Sequence, residues 1–108
     1  MKDNKYIFQK ILNYIRKISG YVEGVDYEGF AKDEEKVFAC AFALCQISEL
    51  TQKISGEEKA RHTNIPWPAI KTMRNHIIHN YENVDMQILF NAITQDLPKL
   101  AKDMEKII

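Results

Sequence analysis

Cysteine is nearly absent from this chain: Cys40 and Cys45 are the only two in 108 residues. Both fall in one apolar, helix-like stretch, where a spacing of five prevents them from bonding each other. No disulfide framework staples the fold, and both read as buried reduced thiols. Net charge is missing as well, with 15 basic against 15 acidic residues, which argues against a histone-like or tail-driven nucleic-acid binder. No apolar run approaches the roughly 18 residues that a membrane span requires. Met1-Lys2-Asp3-Asn4-Lys5 leads into an amphipathic stretch rather than a continuous apolar one, so no signal peptide is expected and the expected compartment is the cytoplasm. Gly-rich phosphate loops, Ser-His-Asp arrangements, Cys-His pairs and paired carboxylates are lacking too. The length suits one domain, residues 1–108, built on a single core.

The most informative absence is local. Between Lys59 and Tyr81 there is no Asp or Glu, while the same window holds Lys59, Arg61, Lys71, Arg74 and all three histidines, His62, His76 and His79. Four of the chain's 15 cations lie here, so the remainder carries 11 against 15 acids and is net negative. Inside the window, Arg74 and His79 stand five apart and Tyr81 follows. A guanidinium, an imidazole and a phenol where carboxylates are excluded suit a phosphodiester.

Periodicity predicts four helices and no strands. Ile7, Ile11, Tyr14, Ile15 and Ile18 form an apolar stripe over residues 4–19, which Gly20 is expected to end. Residues 20–32 carry three of the four glycines and read as a loop. Asp33 is a suitable N-cap for a second helix over about 34–54. That helix is apolar on two faces, Val37, Ala41, Leu44 and Ile47 on one, Phe38, Phe42 and Cys45 on the other. Such a helix is either central or covered by another subunit. Residues 55–64 read as a loop. Asn64-Ile65-Pro66-Trp67-Pro68 opens a third helix running to about His79, with Trp67, Ile70, Met73, Ile77 and Ile78 toward the core. Asn80 is expected to stop it in a left-handed conformation, leaving Tyr81 to project from a loop. Asp85 caps a fourth helix bearing Ile88, Leu89, Ala92, Ile93, Leu97, Leu100, Met104 and Ile107, with a kink near Asp96 imposed by Pro98. The expected architecture is an all-α antiparallel four-helix bundle.

RNA cleavage through the substrate's own 2′-OH needs neither metal nor protein nucleophile. It needs a base, an acid and a cation on the phosphorane. His79 can serve as base or acid, and Arg74 can hold two phosphate oxygens. Five residues apart on a helix, they point about 140° away from each other, so a two-fold dimer with both third helices along one cleft is the expected solution. Asn75, one turn before His79, is placed to fix its tautomer, or is simply solvated. Lys71 extends the phosphate-binding surface or is a plain surface lysine. His76 and His79 have a metal-compatible spacing but lack further ligands, so neither metal nor cofactor is expected. His62 reads as a solvated loop residue, and Trp67 as a core anchor rather than a base-stacking platform.

At these residues the sequence resembles the HepT-like family of the HEPN superfamily, all-helical ribonucleases with an Arg-x4-His-x-Tyr motif. Arg74, His79 and Tyr81 match it, and Asn75 matches the common Arg-Asn pair. Phe30-x-x-Asp33, Ile65-Pro66-Trp67, Val84-Asp85 and Asp96-Leu97-Pro98 extend the likeness over nearly the whole chain. Thr72 stands where the family has Gly, and Ile47-Ser48-Glu49-Leu50 where Ile-Gly-Glu-Ala is usual. The resemblance implies a homodimeric, metal-independent endoribonuclease toxin that leaves a 2′,3′-cyclic phosphate, with tRNA a candidate substrate. Its implied partner is a nucleotidyltransferase antitoxin that transfers AMP from ATP to the motif tyrosine, here Tyr81. The alternative it implies is a non-catalytic helical accessory, a substrate-binding partner of a nucleotidyltransferase.

Overall fold

Burial of apolar stripes on long helices organises the computed structural model, which describes residues 4–108. Met1, Lys2 and Asp3, on which the leader reading partly rests, lie outside the described residues. Among the described residues there are only helices and connections, and no strand. No helix among them is long and apolar enough to cross a membrane.

Helix α1 spans Asn4–Val22 and buries Ile7, Phe8, Ile11, Leu12, Ile15 and Ile18, while Tyr14 of the expected stripe is only half-buried. It does not stop at Gly20. The chain turns at Gly24, whose φ of +72° is the left-handed conformation that glycine adopts without steric cost. The expected loop that follows holds a short helix, α2 (Tyr27–Lys32), begun by Asp26, whose carboxylate accepts from the Gly29 amide at 2.8 Å. Phe30 of α2 is fully buried, and its ring meets Phe90 at 5.2 Å. Glycine-rich composition hid one capped, anchored turn.

Asp33 caps α3 (Glu34–Gln52) as expected, accepting from the Lys36 amide at 3.1 Å. Helix α3 is central: it packs most extensively on α1 and also contacts α2 and α5. Val37, Ala41, Leu44 and Ile47 face the core, while Phe38 and Phe42 remain 52% and 64% exposed. The second expected loop also contains a helix, α4 (Gly56–Arg61), capped by Ser55.

Helix α5 (Trp67–Asn80) starts with proline in its first turn, where a missing amide costs nothing. Trp67 staples it to α4, its Nε1–H donating to the carbonyls of His62 at 3.2 Å and Lys59 at 3.3 Å. Ile77 is buried but Ile78, expected in the core, is 51% exposed. Asp85 caps α6 (Met86–Asn91), accepting from the amides of Gln87 and Ile88. Ile88 is exposed, against expectation. A π-type segment, Ala92–Asp96, joins α6 to α7 (Leu97–Glu105), with the Leu97 amide donating to the Ala92 carbonyl. This is how the chain accommodates Pro98: the register widens where its missing N–H leaves a carbonyl unclaimed. The Thr94 hydroxyl, donating to the Phe90 carbonyl at 2.8 Å, loosens the same turn. The helices therefore number more than four, because capping chemistry creates α2 and α4 inside polar stretches.

Phe30→Ala should cost about 3–5 kcal/mol, because a fully buried ring leaves a cavity that its neighbours only partly fill. Urea denaturation followed by circular dichroism measures this, and a loss under about 1 kcal/mol would show that α2 does not anchor the fold.

Candidate active site

The sequence motif lies on α5, but the tertiary structure decides what surrounds it. Arg74 is 30% exposed and turned toward α3, where its Nη2 donates to Glu49 Oε2 at 2.5 Å. Its Nη1 donates to Asn75 Oδ1 at 2.9 Å. Its Nε is buried and finds no acceptor among the described residues, so the guanidinium is only partly satisfied. The stretch lacking carboxylates in sequence is thus supplied with one in space, by a residue 25 positions earlier. Local spacing does not mark Glu49 as a site residue, because its contact with Arg74 is made between two helices.

Down the same seam, Tyr81 packs on Phe38, with ring centroids 5.7 Å apart. The pairs Glu49–Arg74 and Phe38–Tyr81 run in opposite directions along the two helices, so α3 and α5 are antiparallel. Between them lies an open apolar depression of about 380 Å³, lined by Phe38, Phe42, Cys45, Ile77, Ile78 and Tyr81. The second apolar face of α3 is therefore uncovered in the single chain.

Tyr81 departs from expectation. Asn80 is not left-handed (φ −152°, ψ 40°), and no non-glycine residue has positive φ among the described residues. The chain tightens instead into a 3₁₀ turn, Tyr81–Asn83, which lays the tyrosine ring against α3, half-buried. Burial, and then the nearby Glu34 carboxylate, raise its phenol above the usual range near 10.0. Helix α5 continues into this turn because Val84 N–H can donate to the Tyr81 carbonyl at 3.1 Å.

His79 is exposed, on a different side of α5 from Arg74, and its ring makes no hydrogen bond or ion pair among the described residues. Asn75 was expected to face His79, but its carbonyl oxygen is engaged by Arg74. Lys71 and His76 are exposed on α5. His62 is not merely solvated: its Nε2 lies 2.9 Å from Glu58 Oε2, and its ring meets the edge of Phe8. The structure thus brings together Arg74, Asn75 and Glu49, sets Tyr81 one seam-length away, and leaves His79 apart. Among the described residues no three His, Cys, Asp or Glu side chains converge to hold a metal ion.

The model of the family described as ribonuclease HepT-like matches residues 11–107, which include Arg74, His79 and Tyr81. The chain belongs to that family. It is 30% identical over 106 residues to a protein of Thermococcus cleftensis named "Probable ribonuclease HepT", covering 98% of this chain and 96% of the relative. A protein of Caldanaerobacter subterraneus whose name assigns it as an RNase is 29% identical over 108 residues, covering 100% of this chain and 96% of the relative. Another RNase-named protein, of Methanocaldococcus jannaschii, is 29% identical over 107 residues, covering 99% and 92%. No solved structure gives a significant match.

Cys45 reports on this seam. Burial raises its thiol above 9.0, with Arg74 pulling it down and Glu49 pushing it up. Glu49→Gln should therefore speed Cys45 labelling by a thiol reagent near pH 8, and Arg74→Gln should slow it. Equal rates in both variants would mean that neither charge acts on the thiol. Cys40, pushed up to about 11 by burial, should label slowly in all three proteins.

Proposed function

We propose that the protein is an endoribonuclease acting as a homodimer, with Arg74 and His79 as its reacting groups. The reading also makes it the toxin of a toxin–antitoxin pair. The observation that carries it is the partly satisfied Arg74 guanidinium at the border of an uncovered apolar seam, in a chain of the ribonuclease HepT-like family. A second copy covering Phe38, Phe42 and Ile78 would remove large apolar surface from water, a strong reason to associate. It would also bring a second Arg74 and a second His79 to one cleft, which the 140° separation along a single helix otherwise prevents.

In the proposed reaction one His79 removes the proton from the substrate's 2′-OH as that oxygen attacks phosphorus. The P–O5′ bond breaks, and the leaving oxygen takes a proton from the second His79. The products are a 2′,3′-cyclic phosphate and a 5′-hydroxyl. Arg74 neutralises charge on the phosphorane, while Asn75 helps orient it and Lys71 widens the phosphate-binding surface. No step requires a metal or cofactor.

Silencing follows from the same seam. In the proposed reaction with a nucleotidyltransferase antitoxin, the Tyr81 oxygen attacks the α-phosphorus of ATP, and pyrophosphate leaves. The phenol loses its proton in this step, and in the proposal a base on the transferring enzyme takes it. The attached AMP would compete with RNA phosphates for the Arg74 cleft. A second reading, a non-catalytic accessory of a nucleotidyltransferase, draws on one observation: in the single chain Arg74 is occupied by Glu49.

Incubation with total tRNA, with and without EDTA, separates the two readings. The parent should cleave in both conditions. Arg74→Ala and His79→Ala should each lower the rate by about 100-fold or more while keeping the helical CD spectrum. Undiminished cleavage by His79→Ala would refute the mechanism, and an inert parent would favour the accessory reading.

Light scattering should give the mass of a dimer at micromolar concentration, and Phe42→Glu should give a monomer. With the partner nucleotidyltransferase, ATP and Mg²⁺, the parent should gain adenylate mass and Tyr81→Phe should not. Adenylation retained in Tyr81→Phe would move the switch to another residue.

A further inference from the structure

The window that holds the motif keeps only part of the chain's acid-free positive charge, at Lys59 and Lys71. Two of that window's cations are held by glutamates, Arg61 by Glu58 and Arg74 by Glu49. Helix α1, by contrast, contains Lys5, Lys10, Arg16 and Lys17 and no Asp or Glu along its whole length. Among the described residues no acid pairs with Lys10, Arg16 or Lys17.

Lys10, Asn13, Tyr14, Lys17 and Tyr21 recur at intervals of three and four, so they share one side of α1. With Phe42 of α3 they line an open groove of about 470 Å³. Lys10, Asn13, Lys17 and Tyr21 are exposed, and Tyr14 is half-buried. Phe42 belongs both to this groove and to the apolar seam beside Arg74, so the groove runs up to the edge of the surface that the second copy is proposed to cover.

We propose that this groove is a binding track for single-stranded RNA, which holds the substrate backbone away from the bond being cut. The proposal rests on the ribonuclease reading and adds to it a second anchoring surface. Two ammonium groups about 10 Å apart along the helix can each neutralise a phosphate. An exposed tyrosine face such as that of Tyr21 accepts any unpaired base, which gives sequence-tolerant grip. A duplex keeps its base faces stacked internally and cannot use them. Asn13 can donate and accept at a 2′-OH or a base edge. A membrane surface is disfavoured, because an interfacial helix must offer its apolar face to lipid, and here Ile7, Ile11, Ile15 and Ile18 are locked in the core.

Fluorescence anisotropy with a labelled single-stranded oligoribonucleotide tests this, using the full chain with His79→Ala to prevent cleavage. In that background Lys10→Gln with Lys17→Gln should weaken binding about tenfold near 0.1 M salt. It should also flatten the dependence of log affinity on log salt by about 1.4, two phosphate contacts at about 0.7 each. In the unsubstituted protein, ultraviolet crosslinking to uridine-rich RNA should label the peptide containing Tyr14 and Tyr21, a result that needs no variant to fold.

With His79 restored, the double lysine variant should cleave a dinucleotide at the parent rate and long RNA more slowly. A parent that binds RNA with this salt signature but cuts nothing would refute the ribonuclease reading and leave the groove standing. An unchanged salt slope in the double variant, no crosslink on α1, or binding to phosphatidylserine vesicles in place of RNA would each overturn the groove.

Discussion

The rotation of α3 about its own axis is the constraint on which the other features depend. Docking against α1 requires Val37, Ala41, Leu44 and Ile47 to point inward, and all four are buried. A helix so fixed has no freedom left for its opposite side. Phe38, Phe42, Cys45 and Glu49 are then forced along the edge that meets α5, in that order. Glu49 arrives at Arg74, Phe38 arrives at Tyr81, and Phe42 stands where the seam passes into the α1 groove. A polar substitution on the inward side would release this rotation, with consequences for every contact on the outward side.

The ion pair at the seam bears more on orientation than on stability. Both partners are substantially exposed, and pairs of this kind contribute about 0–1 kcal/mol. Its effect is to hold a long, flexible guanidinium in one place with one donor buried and unsatisfied. A phosphate with two oxygens is a better match for that fork than a single carboxylate oxygen. The Glu49 contact therefore holds Arg74 in place while occupying it, and on the proposed reading an RNA phosphate would displace one carboxylate oxygen with two acceptors. On α1 no acid holds Lys10 or Lys17 among the described residues, the Lys10 ammonium lying 5.4 Å from the centre of the Tyr6 ring.

The peripheral short helices serve the long ones. Phe30 of α2 and Phe90 of α6 meet ring to ring, so the turn after α1 is tied to the C-terminal half of the chain. Helix α4 is tied to α5 through Trp67, which also takes the Lys59 ammonium over its ring at 5.7 Å. The π-type segment lets the last long span keep Leu89, Ile93, Leu97, Leu100 and Met104 on the core despite Pro98. These devices fix how α5 lies on α3, and hence the geometry around the motif.

Local chemistry was legible in the sequence because it acts over three or four residues. The stripe of α1, the Asp33 and Asp85 caps, the proline start of α5 and the two apolar faces of α3 all follow from helical spacing and from orphan amides at helix ends. The caps at Asp26 and Ser55 obey the same rule, and were obscured only by glycine and polar composition. The motif Arg74, His79 and Tyr81 was legible as residue types, but not its surroundings. Only the tertiary structure delivers Glu49 to Arg74, lays Tyr81 on Phe38 and keeps His79 away from both. Those contacts join residues far apart in the chain, and packing of whole helices, not local spacing, determines which of them touch. The charge of α1 shows the same division: its acid-free sequence was there to be read, but which of its lysines share a groove with Phe42 was decided by the docking of α1 on α3.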